Sequence, residues 1–213
     1  MGRNMTAFTE ATTSSATAEW YSPADIIEPA RLVFGAFDLD PASCAEANKL
    51  VRAAKIFTTD DDGKQLQYSI NGRPSLVWWN PPSQRGDKLK GIPEESVGDW
   101  WVHLGKEWLA GRVRAAACVF FNISSVQVCL QASRLASTPA PQWCTRVEPA
   151  SRIKYYSPGA KSNSPPHASA ILLLSDEPEL HAAWTRAYTH LGEILPPSRM
   201  PTRDQKAPQL SLI

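Results

Sequence analysis

No excess of either charge sign marks this sequence: 22 Lys and Arg stand against 21 Asp and Glu, a formal net charge of +1. A global pull toward nucleic acid is therefore excluded, and any contact to a polyanion has to come from a local patch. No apolar run approaches the ~20 residues of a membrane span, and the N-terminus carries no signal-peptide core. The four cysteines (Cys44, Cys118, Cys129, Cys144) form no CxxC pair and no zinc-site spacing with histidine, so no metal is implied. Cys118 falls in an apolar run and reads as a buried thiol, and the expected compartment is a reducing cytosol. Internal repeats are absent. What the sequence does have is 213 residues, 43% of them hydrophobic, enough for one α/β domain with a proper core and short for two. It also has eight tryptophans, a supply that serves a core and also suits flat ligands such as nucleobases.

The order of elements follows from pattern. Residues 1–17, rich in Thr, Ser and Ala without a period, read as a disordered arm. Ser22-Pro23-Ala24-Asp25 predicts a helix start, with Ser22 as N-cap and Pro23 at the first helical position. Ile26, Ile27, Ala30, Val33 and Phe34 share one face of that helix, and Gly35 ends it. A short strand over Phe37–Asp40 breaks at Pro41, a helix is expected over 42–55 with Leu50, Val51 and Ala54 inward, and Asp60-Asp61-Asp62-Gly63 is an acidic turn. The apolar strand 76–79 stops at Asn80-Pro81-Pro82. Residues 83–96 read as a loop, 97–110 as a Trp-rich helix, 115–121 as a buried strand and 123–136 as a helix. The proline-dense stretch 137–166 is expected to be irregular, 170–174 a strand, 177–192 a helix, and 196–213 a tail after a domain spanning 18–195. Strands alternating with helices predict an α/β fold with a mostly parallel sheet and helices on both faces.

The segment with the sharpest chemistry is Trp79-Asn80-Pro81-Pro82-Ser83, set directly after an apolar strand. In open α/β sheets, ligands bind beyond the carboxyl ends of strands. An amino group conjugated to an aromatic ring is a poor nucleophile, because its lone pair is delocalised. Two fixed hydrogen-bond acceptors that draw its N–H bonds out of the ring plane favour the transition state of attack. The side-chain oxygen of Asn80 and the main-chain carbonyl of Pro81 supply two such acceptors, and the Pro-Pro step stiffens the second.

In order along the chain, Trp20-Tyr21-Ser22-Pro23, Phe37-Asp38-Leu39-Asp40-Pro41, Asp62-Gly63 and Trp79-Asn80-Pro81-Pro82 resemble the phage-encoded N-6-adenine DNA methyltransferases, the phage Dam-like family. The resemblance runs from about Glu19 to Ser175. It implies a Rossmann-like S-adenosylmethionine-dependent methyltransferase fold and methyl transfer to the exocyclic amino group of a flipped adenine in double-stranded DNA. Asn80, Pro81, Pro82 and Ser83 would form the catalytic turn. S-adenosylmethionine would be held by Asp38, Asp40, Pro41 and Asp62, with Trp20 and Pro23 at its methionine end. Each of these has a plainer reading beside it: Asp38 or Asp40 as a cap or turn residue, the aspartates at 60–62 as a solvated turn, Trp20 as a helix staple. A phage or prophage gene acting in bacterial cytoplasm, masking phage DNA from restriction, also follows from the resemblance alone.

Two departures from the family pattern stand out. No GxGxG loop follows the first strand, where the chain reads Pro41-Ala42-Ser43, and the aromatic residue that usually follows the prolines is replaced by Ser83. That aromatic stacks on the extruded base, a contact worth on the order of 1–3 kcal/mol. Trp78, Trp79, Trp100 and Trp101 are the candidate substitutes, each of which also reads as core. For DNA, Arg85, Lys88 and Lys90 follow the proposed catalytic turn, and Arg152 and Lys154 form a second basic cluster interleaved with Tyr155 and Tyr156. His167 is a further candidate for lining the site. The same acceptor pair serves any planar amide or amino group, so RNA and protein glutamine are alternative substrates. A degenerate member that only binds DNA or a host protein is the non-enzymatic alternative.

Overall fold

The computed structural model describes residues 20–82, 96–156 and 167–203. Its frame is a seven-stranded sheet in the order β2-β1-β3-β4-β6-β5-β7. The strands are β1 (Leu39–Asp40), β2 (Lys55–Ile56), β3 (Ser75–Trp79), β4 (Val113–Phe120), β5 (Thr145–Pro149), β6 (Ala170–Leu174) and β7 (Gly192–Leu195). Strands β2, β1, β3 and β4 run parallel. The β4–β6, β6–β5 and β5–β7 pairs are antiparallel, so the expectation of a mostly parallel sheet holds for one half of it. The class is a mixed α/β fold.

Strands β3, β4 and β6 carry the core because both their faces are covered, which is why they read as nearly unbroken apolar runs. On one face Val77, Trp79, Ala116, Cys118, Phe120 and Leu172 pack under α3 (Val97–Leu109), with α4 (Ser125–Ala136) reaching the same layer through Cys129. On the other, Trp78, Ala115, Ala117, Val119, Ile171 and Leu173 pack under α1 (Ala24–Phe34), α2 (Ala45–Val51) and α5 (Pro178–Tyr188). The chain steps outward from β1 through α2 to β2. It then returns to the other side of β1 to form β3 and crosses the opposite face through α3 to β4. The order therefore reverses between β1 and β3, a topological switch point with a crevice at the strands' carboxyl ends.

Several boundaries differ from the sequence expectation, each for a local reason. Pro23, not Ser22, is the N-cap of α1; Ser22 is buried and its hydroxyl has no bond among the described residues. The helix expected over 42–55 is only Ala45–Val51. Asn48 closes it by bonding both the N–H (2.8 Å) and the carbonyl (3.2 Å) of Ala53. Arg31 donates to the Leu50 and Val51 carbonyls at 2.7 and 2.8 Å, and Arg52 turns the chain in a left-handed conformation. Val51 is consequently inward, while Leu50 and Ala54 are exposed. The residues that follow form β2. The stretch 137–166, expected to be irregular, contains a 3-10 turn (Pro141–Trp143) and β5. Beyond α5 the chain forms β7, and the segment after it is tied down: Arg203 pairs with Asp176 at 2.8 Å and bonds the Trp108, Val113 and Arg114 carbonyls. These anchors lie at the amino end of β4, the pole opposite the switch-point crevice.

Candidate functional site

Two strand ends meet at the crevice. β1 ends in Asp40 and runs parallel to β3, with Leu39 opposite Val77, so the turns after Asp40 and Trp79 leave the sheet side by side. Asp38 and Asp40, equivalent candidates by sequence, are separated by the structure. The Asp38 carboxylate accepts the Leu76 N–H at 2.7 Å, a bond that ties β1 to β3. Asp40 is 3% exposed and its carboxyl accepts the Ala42 N–H at 3.2 Å. Burial pushes that carboxyl up from 3.8 to about 7, against the pull of the Ala42 N–H toward the charged form. A buried carboxyl held near neutrality at a strand's carboxyl end is an arrangement concentrated at functional sites.

The loop after β2 folds onto this corner. A Cβ on Gly63 would lie 2.1 Å from the Pro41 carbonyl oxygen and 3.1 Å from the Trp100 ring, so only glycine lets the Asp62-Gly63 turn pack there. Asp62 adopts a left-handed conformation, φ 41°, and its carboxylate accepts from Lys64 N–H (3.3 Å) and the Gln65 side chain (2.6 Å). Asp61 takes the Thr58 N–H at 2.8 Å and is occupied in shaping the turn. The loop is held from behind by α3. Glu107, paired with Arg112, accepts the Tyr68 N–H at 2.9 Å, and His103 bonds the Leu66 carbonyl at 2.8 Å. The Tyr68 ring is fully buried, and its hydroxyl has no partner among the described residues and feels the charges of Glu107, Asp40 and Asp62. By sequence His103 reads only as a plain helix residue, and Glu107 and Tyr68 are not singled out; a Glu and a His inside a Trp-rich helix were the available signal.

On the β3 side, the Asn80 side-chain nitrogen donates to the Trp20 carbonyl at 3.1 Å. That bond fixes the amide's orientation and assigns the free role of its oxygen to accepting, with no bond to that oxygen among the described residues. Pro81 and Pro82 are half-buried after it. The Trp20 ring packs at a tilt of 36° against Phe121, which follows β4, with centroids 5.1 Å apart. Tyr21 and Tyr156 exchange backbone bonds of 2.7 and 3.0 Å, and the Cys44 thiol reaches the Tyr21 hydroxyl at 3.4 Å. Trp20 and Tyr21 thus bridge the crevice, from Asn80 beyond β3 to the start of α2 beyond β1.

Pro23 caps α1 on the side of Arg152 and Lys154. It borders a shallow hollow with Asp25, Arg152, Lys154 and Leu191, where Arg152 and Lys154 are both exposed. Trp78, Trp79, Trp100 and Trp101 are core residues, none more than 5% exposed, and His167 is exposed. Ser83, Arg85, Lys88 and Lys90 lie outside the described residues. Among the described residues no group of His, Cys, Asp and Glu could hold a metal ion, and no helix is long and apolar enough to cross a membrane. Comparison with protein-family models, with curated proteins and with solved structures finds no match to this chain.

Proposed function

We propose that the protein is an S-adenosylmethionine-dependent methyltransferase of Rossmann-like fold that acts on the exocyclic amino group of adenine in DNA. The observation that carries this reading is the Asn80-Pro81-Pro82 turn at the carboxyl end of β3, on the switch-point crevice, with the Asn80 amide held by Trp20 so that its oxygen is left to accept. Donor chemistry at the neighbouring strand end suits the cofactor. Asp40 offers a buried carboxyl to an ammonium or to ribose hydroxyls, and the Tyr68 hydroxyl behind the Gly63 turn, which has no partner among the described residues, offers a further polar contact. When bound, the cofactor supplies an electrophilic methyl group on a sulfonium.

The chain's own residues do the rest. The Asn80 oxygen and the Pro81 carbonyl accept the two amino N–H bonds of the target base and turn its lone pair toward the incoming methyl group. The amino nitrogen becomes acidic as it is alkylated, so its proton passes to solvent and no strong base is needed at the turn. Arg152 and Lys154 offer a local positive patch to phosphates on a molecule whose net charge is only +1.

Purified protein supplied with methyl-labelled S-adenosylmethionine and, separately, unmethylated plasmid DNA, total RNA and a glutamine-containing peptide tests the reading. Label in DNA as N-6-methyladenine, lost in Asn80→Ala, supports it. Label in RNA or peptide alone moves the protein to another substrate class. Absence of label from all three, with folded protein, rejects methyl transfer.

A further inference from the structure

Trp78, Trp79, Trp100 and Trp101 are packed into the core and offer no free ring to a planar ligand. Among the described residues the large apolar side chains that are exposed are Leu32, Leu50, Val128, Leu135 and Tyr156. Only Tyr156 is aromatic, and it stands at the crevice. Its backbone pairs with Tyr21, the residue next to the Trp20 carbonyl that holds Asn80. The residue is 50% exposed, and its ring lies 5.9 Å from the Tyr21 ring, tilted by 44°. Residues 152–156 alternate strictly: Ile153 and Tyr155 are buried, and Arg152, Lys154 and Tyr156 face outward. Lys49 of α2 lies within electrostatic reach of the Tyr156 hydroxyl.

We infer that Tyr156, backed by Tyr21, is the stacking face for a nucleobase of a DNA strand whose phosphates are met by Lys154 and Arg152. The inference rests on the reading of the protein as a DNA enzyme and adds the residue that recognises the base. A half-exposed tyrosine ring offers a flat apolar face that a planar partner can cover. A second ring fixed beside it limits its rotamers, which lowers the entropy lost on stacking. Cationic side chains in the same outward row match a strand that presents bases and phosphates alternately.

The test is binding of two fluorescently tagged decamers, oligo(dA) and the same backbone with abasic sugars, at fixed salt. Wild type prefers oligo(dA). Tyr156→Ala lowers that preference by about five-fold to a hundred-fold, the range that base–aromatic stacking supports. Tyr156→Phe keeps the preference, and Lys154→Ala weakens both decamers alike. Should Tyr156→Ala not fold, Tyr156→Leu gives the apolar area without the ring and is read in the same way. An unchanged preference in Tyr156→Ala or Tyr156→Leu overturns the inference, as does a wild-type protein that binds the two decamers equally. The labelling assay above separates the two claims. Methylated DNA with an unchanged preference sinks the stacking face alone. A preference lost in Tyr156→Ala without methyl transfer by wild type leaves a base-binding site that is not part of a methyltransferase.

Discussion

Replacing Asp40 by Asn should make the folded protein more stable at pH 8 and leave it unimproved at pH 4. The carboxyl of Asp40 is raised by burial from 3.8 to about 7 in the folded protein. Below pH 4 it is protonated in both folded and unfolded chains and contributes no pH dependence. Between pH 4 and 7 the unfolded chain releases a proton that the folded chain keeps, so stability falls as pH rises. Above pH 7 the folded protein carries the buried charge at a constant penalty. With about 1.4 kcal/mol for each tenfold change in proton affinity, that penalty is about 4 kcal/mol. It is a large fraction of the roughly 5–15 kcal/mol that holds a domain together. The substituted side chain keeps the oxygen that accepts the Ala42 N–H and adds an amide needing partners, a cost of about 1–3 kcal/mol at every pH. The readout is therefore the difference between variant and wild type, measured by urea unfolding at intervals from pH 4 to 8, which cancels the titration of every other group. This difference should move by about 4 kcal/mol in favour of the Asp40→Asn variant across the range. A difference flat to within about 1 kcal/mol would refute the claim that Asp40 is held protonated by burial.

Other substitutions probe the neighbouring supports. Gly63→Ala forces a methyl against the Pro41 carbonyl, so it should cost about 1–3 kcal/mol in unfolding experiments and weaken S-adenosylmethionine binding in calorimetry by displacing the Asp62 turn. Arg203→Ala removes the pair with Asp176 and three carbonyl contacts at the far pole. A loss of about 2 kcal/mol, or about 4–8 °C in Tm, is expected with methyl transfer per folded molecule unchanged. Asn80→Asp keeps an acceptor but loses the donor to the Trp20 carbonyl and brings a charge, so transfer should fall at least tenfold in single-turnover assays while S-adenosylmethionine affinity changes little.

The strands that carry the site were legible because they are buried on both faces. Leu76–Trp79 and Ala115–Phe121 are dense apolar runs, and the ends of β3 and β4 differ from those bounds by only a residue or two. Short or half-covered strands were not legible. β2 is two residues, Lys55 and Ile56, with no period to detect, and β5 hides its inward Thr145 and Val147 within a proline-dense stretch. The end of α2 depends on Arg31 reaching from α1 to the Leu50 and Val51 carbonyls, a contact between residues about twenty apart that no local pattern contains. In the candidate site the Asn80-Pro81-Pro82 turn was readable as a motif, whereas the roles of the aspartates were not. Asp38, Asp40, Asp61 and Asp62 are the same side chain, each beside a break in the apolar pattern. Only the fold determines that Asp38 bonds Leu76, Asp61 bonds Thr58 and Asp40 is enclosed. Tyr156 was legible only as part of a basic-aromatic cluster, because its pairing with Tyr21 joins segments 135 residues apart in a chain of 213.

The most direct test of the central claim is to express the protein in a bacterial host that lacks adenine methylation, beside Asn80→Ala, and to map modified adenines across the genome. N-6-methyladenine in a fixed sequence context, absent with Asn80→Ala, is the predicted result and reveals the recognised site at the same time. An unmodified genome in cells holding soluble, folded wild-type protein would contradict the assignment of the Asn80-Pro81-Pro82 turn to DNA adenine methylation.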